Sequence, residues 1–224
     1  MSEMAMKYNA AKLVMLALTA LALTGCAGKV HYPTYYTLLL APSHAPRAGE
    51  SDKLPAVGVR RFETSSYLRQ GRIVYRENPE QIGFYDYRRW ASDPGQIVTT
   101  GMIESLRSSG LFSRVEAYDG QDRAPYLFHG RLEQLDEIDY TKGVQVEVRL
   151  SAQLLNTRTG VVVWAGETRK TSTVDGREMT AVVRAMSQAT QDGLEQLVQD
   201  MRGQLLAMNV AVTTSPVSGA QNPR

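Results

Sequence analysis

The chain has 224 residues, 25 Lys and Arg against 23 Asp and Glu, a formal net charge of +2, and a single cysteine. A balance so close to neutral gives no electrostatic reason to expect nucleic acid or another polyanion as a partner. One thiol excludes an intramolecular disulfide, so stability must come from packing, and the length suffices for one domain with a real core.

At the N-terminus Lys7 and Lys12 precede the apolar run 13–23, "LVMLALTALAL". A basic region, a short apolar stretch and small residues after it are the features of a secretory signal. The run is far shorter than the roughly 20 residues a membrane span needs, and no later segment approaches that length. It ends in Leu23-Thr24-Gly25-Cys26, "LTGC". Leucine, a small polar residue, glycine and cysteine in that order resemble the bacterial lipobox. The resemblance implies that the Cys26 thiol receives a diacylglyceryl group, that the signal is cut between Gly25 and Cys26, and that the new amine is acylated. The thiol is consumed, which makes one cysteine the expected count. Several chains anchor firmly because each buried methylene contributes about 0.8 kcal/mol. The alternative, an ordinary secretory signal with a chance cysteine, explains fewer of these positions. Ala27, where an aspartate would favour inner-membrane retention in enteric-type lipoproteins, points to the outer membrane. "GCAGK" lacks the spacing and the Ser or Thr of a phosphate-binding loop. The expected organisation is a signal peptide over 1–25, a lipidated tether over 26–33, a folded domain over 34–208 and a disordered tail over 209–224, where "VTTSPVSGAQNPR" has little to bury.

In chain order, Tyr35 to Leu40 and Ala56 to Phe62 read as strands, separated by the proline-rich loop "APSHAPRAGESD". Arg72 to Arg76 and Gln81 to Tyr85, joined by "ENPE", read as a hairpin because Asn-Pro is a turn signal. The helix signal over Asp93 to Gly110 is complete. Asp93 caps it, Pro94 suits the first turn, Gln96 completes a capping box, and Gly110 stops it. Its apolar face is expected to carry Ile97, Gly101, Met102, Ser105, Leu106 and Ser109, with Val98 at the edge. Ser113 to Tyr118 and Tyr126 to Ile138 follow as strands, the latter with a slip in alternation near Gln134 and Leu135 that predicts a bulge. From Val144 to Leu154 the alternation is unbroken, so one face should be buried and the other wet. "NTRTG" then leads through Gly160 to a strand over Val161 to Thr171. A capping box at Asp175 and Glu178 opens a long amphipathic helix to about Leu206. Its polar face is not cationic, which favours packing on a sheet over lying on a membrane. The sum is an α+β fold: a mixed, largely antiparallel sheet with two helices packed on one face, a two-layer α/β sandwich.

Chemistry is harder to find. His31, His44 and His129 have no metal-ligand spacing around them. The sequence has no nucleophile elbow. Asp136, Glu137 and Asp139 cluster near a strand end, which reads as a solvated terminus rather than a catalytic pair. No catalytic residue, metal site or cofactor site is assigned, and a non-enzymatic protein is expected. Phe84 to Trp90, "FYDYRRW", with Arg60, Arg61, Arg69, Arg72 and Arg76 nearby, could suggest nucleic acid, but Glu63, Glu77, Glu80 and Asp86 dilute the charge. Two readings remain: Tyr85, Tyr87 and Trp90 pack the hairpin against the first helix with the arginines in solvent, or Tyr85, Tyr87, Arg88, Arg89 and Trp90 form a protein–protein contact, since Tyr, Trp and Arg anchor interfaces.

"YYTLLLAP" shortly after Cys26, "AVGVRRF", and the block from "YLRQGRIVYRENPEQIGFYDYRRW" to "SLRSSGLFSRV" resemble the ABC-type transport auxiliary lipoprotein family, which includes the paraquat-inducible lipoprotein C type. The resemblance runs from about Tyr35 to Leu206. It implies a lipoprotein anchored in the outer membrane and facing the periplasm, a homo-oligomer assembled as a ring, and a mammalian-cell-entry (MCE) domain protein of an ABC transport system as partner. Such systems are thought to move phospholipids or other hydrophobic molecules between two membranes. The implied role is a non-enzymatic docking component. A lipid-binding carrier with a dry cavity, and a structural envelope lipoprotein without transport function, remain the alternatives.

Overall fold

The computed structural model describes residues 31–41, 53–121, 124–140 and 143–213, with side chains as far as 207, together with the helical residues 4, 8, 12 and 15. Gly25 and Cys26, and the tail from residue 214 on, lie outside the described residues. Residues 1–32 and 33–224 form two separate units, and the sheet and helices below all belong to the second.

Three long strands form an antiparallel meander: β7 (Tyr126–Ile138), β8 (Gln145–Asn156) and β9 (Val162–Thr173). The unbroken alternation in β8 puts Val146, Val148, Leu150 and Leu154 at 1% exposure or less. The other edge of β7 carries three shorter parallel strands end to end. β2 (Val57–Val59) lies against Tyr126 to Phe128, β3 (Glu63–Thr64) against Arg131 and Leu132, and β4 (Arg72–Asn78) against Asp136 to Ile138. Beyond them β6 (Val115–Ala117) flanks β2, β5 (Gln81–Trp90) forms the expected hairpin with β4, and β1 (Thr34–Tyr36) flanks β5. The sheet is mixed, with its longest ladders antiparallel.

The bulge falls between Leu132 and Gln134, slightly ahead of its expected place. Glu133 is the extra residue, and its carbonyl accepts from Ser65 Oγ at 2.8 Å and Tyr67 Oη at 3.2 Å. Both donors belong to the segment around a 3-10 turn, Ser66–Gln70, that follows β3. The local distortion is therefore satisfied by hydrogen bonds rather than left open.

The first expected strand is cut short after Tyr36 because the leucines that follow leave the sheet. Leu38 is buried, Leu39 N–H donates to Ser187 Oγ at 3.0 Å, and Leu40 packs into the core. The second, expected over Ala56 to Phe62, is shortened to β2, with β3 starting just beyond it, for a related reason: Phe62 N–H donates to Thr99 Oγ1 on a helix at 2.8 Å instead of to a strand.

Two helices cover one face. In α1 (Pro94–Ser109) Asp93 accepts from Gln96 N–H at 3.1 Å, and Gly110 stops the helix at φ 64°, the left-handed conformation that glycine adopts without strain. Its buried face is centred on Val98, Met102 and Leu106 and includes Thr99 and Ile103, while Ile97 is only partly buried. The stripe is turned toward Val98 because α1 meets β7, β3 and β6 on one side and the second helix on the other. That helix, α2, runs Met179–Thr213. It starts after the expected Asp175, since Gly176 at φ 95° makes a bend there, and Glu178 supplies the first carbonyl, accepting from Ala181 and Val182 N–H. It continues past Leu206 because no Pro or Gly interrupts residues 204–213. α2 packs on β8 and β9, with Gly193 seated against Leu150 and Thr168. Among the described residues no helix is long and apolar enough to cross a membrane.

Candidate functional site

The five interface candidates on β5 do not form one patch. Trp90 is 4% exposed and belongs to the core. Tyr85 tilts against Tyr75 with ring centroids 4.9 Å apart, and its hydroxyl donates to Glu137 Oε2 at 3.0 Å. Burial, then the Glu137 charge, push the Tyr85 phenol well above its ordinary pKa. Arg88 sits 5.8 Å from the Tyr85 ring centroid and donates from Nη1 to Tyr36 Oη at 3.1 Å. It thereby clips β1 to β5, at the register where Thr34 lies opposite Arg88. Arg89 is half-buried, opposite Arg72 on β4 and Tyr35 on β1. Tyr87 is 52% exposed. Tyr87 therefore does not pack the hairpin as the first reading expects, and Arg88 is engaged with tyrosines rather than left in solvent. The strand's own alternation separates neighbouring residues of "FYDYRRW" onto opposite faces.

The acidic cluster is a correction. Asp136 is fully buried and Glu137 is 5% exposed, so this strand end is not a solvated terminus. Arg76 Nε donates to Asp136 Oδ2 at 2.6 Å, and Tyr67 Oη, 3.2 Å from Oδ1, shares its one proton between Asp136 and the Glu133 carbonyl. Burial raises the Asp136 carboxyl above the usual carboxylate range, with Arg76 and Tyr67 pulling it back. Glu137 is raised the same way, eased by Tyr85. Opposite Asp136 on β8 stands Glu147, 5% exposed and gripped by Arg169 Nη2 at 2.6 Å and Arg149 Nη2 at 3.4 Å. The wet face expected for β8 is thus partly closed over by paired charge. Burial of that kind demands partners, and every carboxylate here has one. The sequence does not show this because Tyr67 and Arg76 lie 69 and 60 residues from Asp136.

The face of the meander away from the helices carries an open concavity of about 570 Å³, with Arg60, Arg61, Glu63, His129, Arg131 and Glu167 among its walls. His129, alone in sequence, has company here. Burial and then Arg60 hold its pKa below the ordinary value, against Glu63. Arg131 is shared between Glu63 and Glu133, each at 3.3 Å, and Arg61 reaches Asp93 at 3.3 Å. Several of the arginines that could suggest nucleic acid are therefore paired. Among the described residues no group of His, Cys, Asp and Glu is placed to hold a metal. The arrangement can present fixed, mixed charge to a macromolecular partner. Ser151, also on its wall, donates its hydroxyl to Glu133 Oε1 at 2.8 Å, and that carboxylate is itself paired with Arg131.

A family model described as ABC-type transport auxiliary lipoprotein component matches residues 36–201. Among solved structures, a Xanthomonas campestris protein of the DUF330 family superposes with a TM-score of 0.65 at 17% identity, over 78% of this chain and 99% of that one. A second, described as an uncharacterized protein, gives 0.60 at 16%, over 76% and 99%. At these identities the likeness concerns the fold. The PelC dodecamer from Paraburkholderia phytofirmans reaches only 0.41 at 15% identity, over 68% and 93%, too distant to bear on assembly. No curated protein matches the sequence.

Proposed function

The chain belongs to the ABC-type transport auxiliary lipoprotein component family, and from that premise we propose that it is an outer-membrane-anchored periplasmic docking module for an MCE-type lipid transport system. The family match over residues 36–201 is the observation that carries the reading. Physical chemistry supplies the need. A lipid crossing water exposes apolar area at a cost of about 25 cal/mol per Å², so a protected route from the inner membrane requires a receptor at the far side. A folded body tethered through Cys26 is such a receptor, and a ring of copies would enclose the end of the route. The concavity of the meander supports docking over carriage of a lipid in a private cavity. It is open, and its walls carry Arg60, Arg61, Arg131, Glu63 and Glu167.

The test is capture of the MCE-domain protein by the mature, lipidated chain in detergent, with cross-linking. Recovery of the complex supports the reading; absence of association under both conditions rejects it. Cys26→Ala should move the protein from the membrane fraction to the soluble periplasm with its thermal midpoint unchanged. Fractionation and a melt read both. A variant that stays with the membrane would show that something other than the lipid holds it there.

A further inference from the structure

We propose that the groove between β1 and α2 is a receptor for an extended, acidic peptide segment, which joins the sheet as a further strand beside β1. The proposal deepens the docking reading by naming the chemistry that would be recognised, and it rests on that reading for its biological setting.

β1 is an edge strand. Among the described residues it pairs with β5 alone. Tyr36 turns its carbonyl to that side, accepting from Ala91 N–H at 2.7 Å. By strand alternation Tyr35 turns its amide the other way, and Tyr35 and Thr37 line a groove of about 440 Å³ whose far wall is α2. The strap is held at its distance from the helix by the Leu39 to Ser187 hydrogen bond. Tyr35 and Leu39 are 60% and 78% exposed along it, an apolar rim that water covers poorly.

Two side chains of α2 say what the groove lacks. Gln191 lines it and is 8% exposed. Its Nε2 donates to Glu195 Oε1 at 2.7 Å. A carboxylate only accepts, so the amide cannot be turned round, and Oε1 is left without a partner. A buried acceptor in that condition costs stability unless a donor arrives. Arg184, one helical turn from Gln188 on the same wall, is exposed and makes no ion pair among the described residues. An acyl chain brings no donor to Gln191 or to the edge of β1. An extended peptide brings an N–H at every residue, side chains on alternate faces for the apolar rim, and with a carboxylate it answers Arg184. Edge-strand addition beside a helix meets all three demands at once.

The experiment uses the full mature chain in detergent and a fluorescein-labelled hexapeptide of alternating valine and glutamate, read by anisotropy. Wild type should bind it. A version N-methylated at alternate residues, which cannot form the ladder, should bind at least tenfold more weakly. Arg184→Glu should weaken the acidic probe and favour one with lysine in place of glutamate. Gln191→Leu should weaken binding about fivefold or more while leaving the melting temperature equal to or above wild type, because it removes the orphaned acceptor. No binding by wild type, or binding indifferent to N-methylation, overturns the proposal. So does displacement of the probe by dodecylphosphocholine monomers but not by unlabelled peptide, which would assign the groove to lipid. Loss of self-association in Arg184→Glu with no probe binding by wild type would assign it to a second copy and likewise overturns it. If wild type and Arg184→Glu capture the MCE protein equally, docking stands and the groove is not its site. If neither captures it, the docking reading fails while the probe still measures the groove.

Discussion

Arg76→Met should destabilise the protein by about 3 to 5 kcal/mol at neutral pH, the cost of leaving a fully buried carboxylate without its counter-charge. Asp136 is completely inaccessible, and the Arg76 side chain is 17% exposed with its Nε 2.6 Å away, so solvent screens the pair little. The sign of the pH dependence separates this from lost packing. Burial already holds the folded-state pKa of Asp136 above its unfolded value. The folded state therefore favours the protonated acid, and the stability from that preference is present at low pH and lost as pH rises through the folded pKa. Removing Arg76 raises that pKa further. The variant's deficit should be largest above it and shrink as the buffer is acidified and Asp136 takes up a proton. Glu137, also raised by burial, moves in the same direction in both proteins and largely cancels from the difference. Urea denaturation at pH 7 and pH 5 measures it. A deficit that does not change with pH would mean that the arginine matters for its methylenes. Adding Asp136→Asn to Arg76→Met should recover much of the loss, because the buried charge is then gone and Tyr67 can still donate to the amide oxygen.

The parts of this molecule that were legible in the sequence are those whose signals are local. Asp93, Pro94, Gln96 and Gly110 mark α1 to within a residue because caps act within one turn. The alternation from Val144 to Leu154 gives β8 and its buried face because a meander strand meets its neighbours over its whole length. The order of β2, β3 and β4 along one edge of β7 was not legible. Parallel pairing between strands this short leaves no periodic trace, and its register is set by β7 and its bulge. The charged network was hidden for the same reason. Nothing near Asp136 in sequence announces Tyr67 or Arg76. In "FYDYRRW" composition invited a single patch, whereas the pleat distributes its side chains to the core, to Glu137, to Tyr36 and to solvent. The groove beside β1 was invisible because it needs Leu39 brought against Ser187, 148 residues away.

Phe128→Ala should be nearly as damaging as Arg76→Met, at about 3 to 5 kcal/mol, and through a different mechanism. Phe128 is fully buried and stands in β7 opposite Val59 on β2 and Leu154 on β8. Its ring is stacked between Phe62 and Trp164, each with centroids 6.2 Å away. The three aromatics therefore tie the segment after β2 to β7 and β9 across the width of the sheet. Glycines make room at both ends of the row. A Cβ on Gly130 would strike the Phe62 ring, and one on Gly166 would come within 2.5 Å of Trp164. The flanking rings cannot close the gap by sliding inward without giving up the seats over those glycines, so the cavity should persist. Phe128→Leu, which keeps most of the volume, should cost about half as much. Since each kcal/mol moves the midpoint by about 2 to 4 °C in a domain of this size, Phe128→Ala should melt about 6 to 20 °C below wild type. The deficit should show no pH dependence, because no titratable group is uncovered. A cavity that stays open and dry should also take up xenon, with partial recovery of the midpoint under xenon pressure. A loss below 1 kcal/mol, or one that tracks pH as the Arg76 variant does, would mean that the aromatic row does not hold the two halves of the sheet together.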